Sequence, residues 1–212
     1  MKRKYLAFGD SLTNGYGVLD KYKWRNIVGK HLNVQIENYG VNGETASEAK
    51  KRLVHVLEYK PDIAFINFGT NDIFVSQDQK GFVDLKQYQR DMTDLIKPMK
   101  DIGTRVIWLS PHRIIEGDKE KRTYFFQRHK PEMYAKHSPN ALLEQCTNVA
   151  KETAQKLDVE FIDLFHDKKM HNLEQVLRTM ENSGEEDGVH YSNHGSQIVA
   201  DIIIEYLEGV KI

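Results

Sequence analysis

The chain has 212 residues, of which 40% are hydrophobic and 29% charged, and its formal net charge at pH 7 is −1. That length and balance suit one soluble globular domain with a sizeable core and exclude a disordered chain. The near-zero charge gives no global attraction to nucleic acid or an anionic membrane, and no apolar run approaches the roughly 20 residues that span a bilayer.

The first strand candidate is Tyr5-Leu6-Ala7-Phe8, which runs into Gly9-Asp10-Ser11-Leu12. Basic residues precede it (Met1-Lys2-Arg3-Lys4), but the apolar run is too short for the core of a secretory signal and no small-residue cleavage site follows. A cytoplasmic location is expected, and the single cysteine, Cys146, which cannot form an intramolecular disulfide, suits it. Val34–Tyr39 alternates with period two and ends at Gly40. Thr45–Leu57 then reads as a helix: Thr45-x-x-Glu48 is a capping-box pattern, and Ala46, Ala49, Leu53, Val56 and Leu57 share one side.

Ile63–Phe68 is a nearly continuous apolar strand ending at Gly69, and Leu85, Tyr88, Met92, Leu95, Ile96 and Met99 form the next helical stripe. Arg105–Leu109 is the fourth strand, followed from Pro111 to about Pro139 by an irregular segment. Leu142, Cys146, Val149, Ala150, Thr153 and Leu157 line a third helix, in which Cys146 reads as a small core residue. Val159–Ile162 is the fifth strand, and Ile198, Val199, Ile202, Ile203 and Tyr206 mark the final helix. Apolar strands alternating with helices predict an α/β fold: a parallel sheet with helices on both faces. No repeat or linker interrupts the pattern, so a single domain over 1–212 is expected, with 111–139 as a lid or substrate-loop insertion.

In open parallel sheets ligands bind beyond the carboxyl ends of the strands, so the residues just after each strand carry the functional information. They are Gly9-Asp10-Ser11-Leu12, Asn38-Tyr39-Gly40-Val41-Asn42-Gly43, Gly69-Thr70-Asn71-Asp72 and, before the last helix, Asp187-Gly188-Val189-His190. Acyl transfer needs these groups. A serine hydroxyl attacks only when a base takes its proton, and histidine is the usual base. The imidazole needs an acceptor on its other nitrogen, and Asp187 is three residues from His190. The developing oxyanion needs fixed donors, for which the N–H groups of Ser11 and Gly40 and the carboxamide of Asn71 are candidates. Glycine at 40 leaves room for the backbone to approach a substrate.

These blocks resemble the four blocks of the GDSL, or SGNH, hydrolases: Gly9-Asp10-Ser11-Leu12, Asn38-x-Gly40, Gly69-x-Asn71-Asp72 and Asp187-x-x-His190, in that order and over nearly the whole chain. The resemblance implies a flavodoxin-like three-layer α/β/α sandwich with a central parallel sheet of about five strands, and hydrolysis of esters or thioesters without metal or cofactor. It implies Ser11 as nucleophile, His190 as base and Asp187 as its partner, with Ser11, Gly40 and Asn71 as the oxyanion hole. The expected substrate is a small-molecule carboxylic ester or thioester, with no nucleic-acid partner and no stable membrane insertion. Acyl thioesterase or lysophospholipase, carbohydrate O-acetylesterase and acyltransferase chemistry use the same residues and remain open, as does the oligomeric state.

Competing roles narrow the set. A serine after a strand is commonly an N-cap, but the Gly-Asp prefix and the downstream Asp-x-x-His point Ser11 to chemistry. Asp10 and Asp72 suit turn-holding bonds to local N–H groups. His190 and His194 stand four apart but lack the glutamate of a His-Glu-x-x-His zinc site, and no dinucleotide or phosphate-loop motif is complete. A binding module that lost its chemistry, or a flavin-binding domain, finds no support in these residues. His31, His55, His129, His137, His166 and His171 read as mostly surface residues, and His112, after Pro111, as a pocket residue. The 111–139 segment carries Tyr124, Phe125 and Phe126 among several basic residues, including Arg122 and Arg128. It reads either as a solvated loop with packed aromatics or as a substrate-binding lid, apolar for an acyl chain and basic for an anionic head group.

Overall fold

Five short strands pair in parallel: β1 (Tyr5–Gly9), β2 (Ile36–Gly40), β3 (Ile63–Asn67), β4 (Arg105–Leu109) and β5 (Glu160–Ile162), in the order β2-β1-β3-β4-β5. The computed structural model describes residues 3–74 and 84–210; Met1 and Lys2 of the basic N-terminus lie outside them. Register is uniform, with Tyr5 opposite both Ile36 and Ile63, and Gly9 opposite Gly40 and Asn67. The carboxyl ends of the first three strands therefore finish level with one another.

Side chains alternate across the sheet, as the pleat requires. Leu6, Phe8, Ala64, Ile66, Val106 and Trp108 face one apolar cluster, and Tyr5, Ala7, Ile63, Phe65, Ile107 and Leu109 face the other. Two layers of helices cover these faces. Ala46–Ala49, Leu53–Tyr59, Leu85–Asp101 and Pro139–Leu157 pack on the first, and Trp24–Leu32 and Asn193–Gly209 on the second. The result is the expected three-layer α/β/α sandwich. In Leu85–Asp101 the stripe Tyr88, Met92, Leu95, Ile96 and Met99 is fully buried, about 1.5–3 kcal/mol per side chain before ordering entropy is set against it. No helix among the described residues is long and apolar enough to cross a membrane.

Two elements differ from the sequence reading. The helix expected over Thr45–Leu57 keeps its capping box, with Glu48 N–H donating to Thr45 Oγ1 at 3.2 Å and Thr45 N–H to Glu48 Oε2 at 3.1 Å. It then tightens to a 3-10 turn at Lys50–Arg52 before resuming. Arg52 leaves the helix face there to pair with Glu44 and to lie over the Phe8 ring. The helix Trp24–Leu32 was not marked by periodicity, because its buried residues are few: Trp24, Val28 and Gly29.

The irregular 111–139 segment holds a short helix, Phe125–Arg128, and a 3-10 turn, Pro131–Tyr134. Phe125, Phe126 and Tyr134 are buried in the same cluster as the sheet.

Candidate active site

The first three blocks leave β1, β2 and β3 at the carboxyl end of the sheet, and the Asp187–His190 turn precedes the final helix, Asn193–Gly209. After β1 the chain makes one helical turn, Ser11–Asn14, capped by Asp10, whose Oδ1 accepts the Leu12 N–H at 2.9 Å. Ser11 occupies the first helical position, so its own N–H has no acceptor within the helix. Its Oγ lies 2.9 Å from His190 Nε2, and His190 Nδ1 lies 2.8 Å from Asp187 Oδ2. Ser11 and His190 are 179 residues apart in the chain and meet only through the fold.

The turn carrying Asp187 and His190 is tied on several sides. Asp187 Oδ1 accepts the N–H groups of Val189 and His190 at 2.8 and 2.7 Å. Burial works to raise the Asp187 pKa, but the bond from the His190 ring, the ring's charge and these two N–H groups hold it well below the usual carboxylate range. One neighbouring strand-like segment donates Arg178 N–H to His190 O and accepts Gly188 N–H on Arg178 O, both at 2.9 Å. On the other side Ile115 N–H reaches Gly188 O at 2.9 Å.

His112 adds a further tie. Its ring Nε2 donates to Val189 O at 2.9 Å and the ring lies 4.6 Å from that of Tyr191. Burial pushes the His112 pKa down to about 4, so the ring is neutral with its proton on Nε2, as a bond to a carbonyl requires. Nδ1 is buried without a partner among the described residues, so a second proton there would find no acceptor among them.

A cavity of about 380 Å³ opens over Ser11 and His190. Tyr16, Asn42, Gly43, Thr70 and Asn71 line one part, and Phe74, Tyr124, Phe125, Arg128, His129 and Val189 another. The Tyr16 ring lies 4.7 Å from the His190 ring and beneath the Arg178 guanidinium. Asn71 Nδ2 donates to Asp10 Oδ2 and to Glu44 O, each at 3.1 Å. Asp72 accepts from Ala46 N–H at 2.9 Å and Gly69 N–H at 3.0 Å, joining the two loops that flank the cavity. Burial pushes the pKa values of Asp10 and Asp72 up to about 7, against the N–H bonds that lower them. Among the described residues no group of three or more His, Cys, Asp or Glu could hold a metal ion.

Three sequence expectations need correction. Gly40 does not line the cavity, and its N–H is already taken by Asn38 Oδ1 at 3.0 Å. It is glycine for a packing reason: a Cβ there would stand 2.4 Å from Asn14 N and 2.9 Å from Asp10 O. Gly43, three residues on, lines the cavity, and its N–H has no partner among the described residues. Phe126 is fully buried in the core and does not line the cavity, whereas Tyr124 and the equally buried Phe125 do. His112 sits behind the Asp187–His190 turn instead of in the pocket. Sequence reasoning also missed Tyr16, Thr70, Phe74 and His129; the Gly40-x-x-Gly43 spacing was visible, but which glycine faces the cavity was not.

Residues 5–203 match the family described as GDSL-like Lipase/Acylhydrolase. The chain belongs to that family. It is therefore an ester-hydrolysing enzyme of the GDSL class, acting on small ester substrates. A relative in Bacillus subtilis, named "Uncharacterized lipoprotein YqeF", is 28% identical over 167 residues, covering 74% of this chain and 69% of the relative. Among solved structures, the acetyl xylan esterase AlAXEase aligns with a TM-score of 0.73 at 19% identity, over 96% of this chain and 99% of that one. TesA aligns with a TM-score of 0.72 at 17% identity, over 98% of this chain and 99% of that one. At these identities the two structures share the GDSL fold with this chain.

Proposed function

We propose that this GDSL enzyme cleaves carboxylic esters through an acyl-enzyme on Ser11. The observation that carries the reading is the continuous relay from Asp187 Oδ2 through the His190 ring to Ser11 Oγ, at 2.8 and 2.9 Å. In the first step Ser11 Oγ attacks the acyl carbon while His190 Nε2 takes its proton, and Asp187 stabilises the charged ring. The tetrahedral oxyanion is held by the N–H groups of Ser11 and Gly43 and by Asn71 Nδ2, which exchanges one of its two 3.1 Å bonds for it. His190 then protonates the leaving alcohol as the acyl bond breaks. Water, deprotonated by the same ring, releases the acid and restores Ser11.

The aromatic wall of Phe74, Tyr124 and Phe125 suits the apolar part of the ester. Because Phe125 is also rooted in the core, we read the 111–139 segment as a fixed wall of the cavity.

The test is hydrolysis of p-nitrophenyl esters from acetate to laurate by wild type and Ser11→Ala, with mass analysis after a fluorophosphonate probe. We expect wild-type turnover, a silent variant and a single adduct on Ser11. Equal activity of the two proteins would overturn the assignment.

A further inference from the structure

We infer that the ester cleaved here bears an anion, a carboxylate or phosphate in its acyl or its alcohol part, and that Arg128 selects for it. The inference rests on the proposed cleavage at Ser11 and specifies the substrate of that same site.

It starts from the charges around the cavity. Asp187 is spent on His190, and among the described residues no other acid lines the space. Arg128 lines it, and no carboxylate, carbonyl or ring among the described residues engages its guanidinium. The nearby acids have other partners: Glu186, beside Asp187, accepts from Gln127, and Glu185 pairs with Arg178 at 3.1 Å. Two cations of the same segment are also occupied, Arg113 lying 4.9 Å over the Phe165 ring and Lys119 5.6 Å over Phe126. Arg122 does not line the cavity.

An unpaired surface arginine is ordinary, but this one is mounted. It stands between Phe125, which is buried, and His129, whose ring stacks on Phe125 at 3.9 Å with the planes 6° apart. Phe74 packs against both rings at a tilt, 4.6 Å from Phe125 and 5.5 Å from His129. The backbone of Arg128 is thus held at the cavity wall while its side chain stays in reach of solvent and substrate. A guanidinium presents a planar fork that matches a carboxylate or phosphate, and beside an apolar wall its field is less screened than in bulk water. An ester of the right length would place its apolar part on the aromatic wall and its anion on Arg128, with the reacting carbonyl at Ser11.

The experiment compares two matched pairs of esters in wild type, Arg128→Gln, Arg128→Glu and Arg122→Gln. On the acyl side, p-nitrophenyl hydrogen glutarate is set against p-nitrophenyl valerate; on the alcohol side, 4-carboxyphenyl acetate against 4-acetylphenyl acetate. The quantity read is the ratio of kcat/KM, anionic over neutral. In at least one pair it should fall about threefold to fivefold in Arg128→Gln, as expected for an exposed charged contact, and further in Arg128→Glu. The pair that responds tells which side of the ester carries the anion. Arg122→Gln should keep the wild-type ratio. The wild-type preference should also shrink as salt rises from about 0.01 M to about 1 M, because the screening length falls from about 30 Å to about 3 Å. Ratios that are the same in wild type and both Arg128 variants, in an enzyme whose Ser11 still takes the fluorophosphonate, would overturn the role of Arg128 alone. An unlabelled Ser11 would overturn the cleavage reading and this inference with it.

Discussion

Replacing His112 with glutamine isolates one ionisation from the rest of the molecule. Glutamine can still donate an N–H toward Val189 O, the bond that His112 Nε2 makes at 2.9 Å, but it cannot titrate. In the folded protein burial lowers the His112 pKa from 6.5 to about 4. A base with a depressed folded pKa is favoured neutral by the fold. Its contribution is therefore complete above 6.5 and lost as pH falls toward 4, because the unfolded chain takes up the proton first. At pH 4.5 the wild type should have lost about 2–3 kcal/mol of stability relative to pH 7.5 from this residue alone, and the variant none of it. For a domain of this size that is a differential shift in Tm of about 5–10 °C. Asp10 and Asp72, with pKa values raised to about 7, act with the opposite sign as pH rises from about 4 to 7, but they are common to both proteins and cancel in the difference. The assay is thermal unfolding of both proteins across pH 4.5–7.5. Parallel Tm curves for the two proteins would refute the account of His112 as a buried neutral brace.

Asn71→Ala should lower kcat by on the order of 10²–10³ with a smaller change in KM, measured on the best p-nitrophenyl ester; a loss under about tenfold would mean that Asn71 only ties Asp10 to the Glu44 carbonyl. The two glycines of the second loop should separate. Gly40→Ala puts a Cβ 2.4 Å from Asn14 N and should cost about 1–3 kcal/mol in chemical denaturation. Gly43→Ala has open space but holds φ at +77°, so its cost in stability stays near 1 kcal/mol while kcat falls at least about tenfold, as relief of strain swings its N–H away. An unchanged kcat in Gly43→Ala would remove Gly43 from the oxyanion site.

The sequence by itself determined the α/β class, all five strands and the long helices, because hydrophobic period and turn residues are local signals that survive in one dimension. Tyr5–Gly9 and Arg105–Leu109 are legible as runs, and the Thr45/Glu48 capping box is legible as a spacing. It also named Ser11, Asp187 and His190 as chemistry, since the short span between Asp187 and His190 and the Gly-Asp-Ser turn are themselves local. Only the tertiary structure decided which of Gly40 and Gly43 faces the cavity. That depends on the helix Ser11–Asn14 crossing over Gly40, a contact between segments about 25 residues apart that no spacing encodes. The same holds for His112 and Phe126: being apolar or aromatic near a strand end fits both a pocket wall and a core. Burial against Val189, Tyr191 and Tyr134 settled that choice. Periodicity reports that a side chain is hidden from water; what it is hidden against is fixed by packing between distant elements.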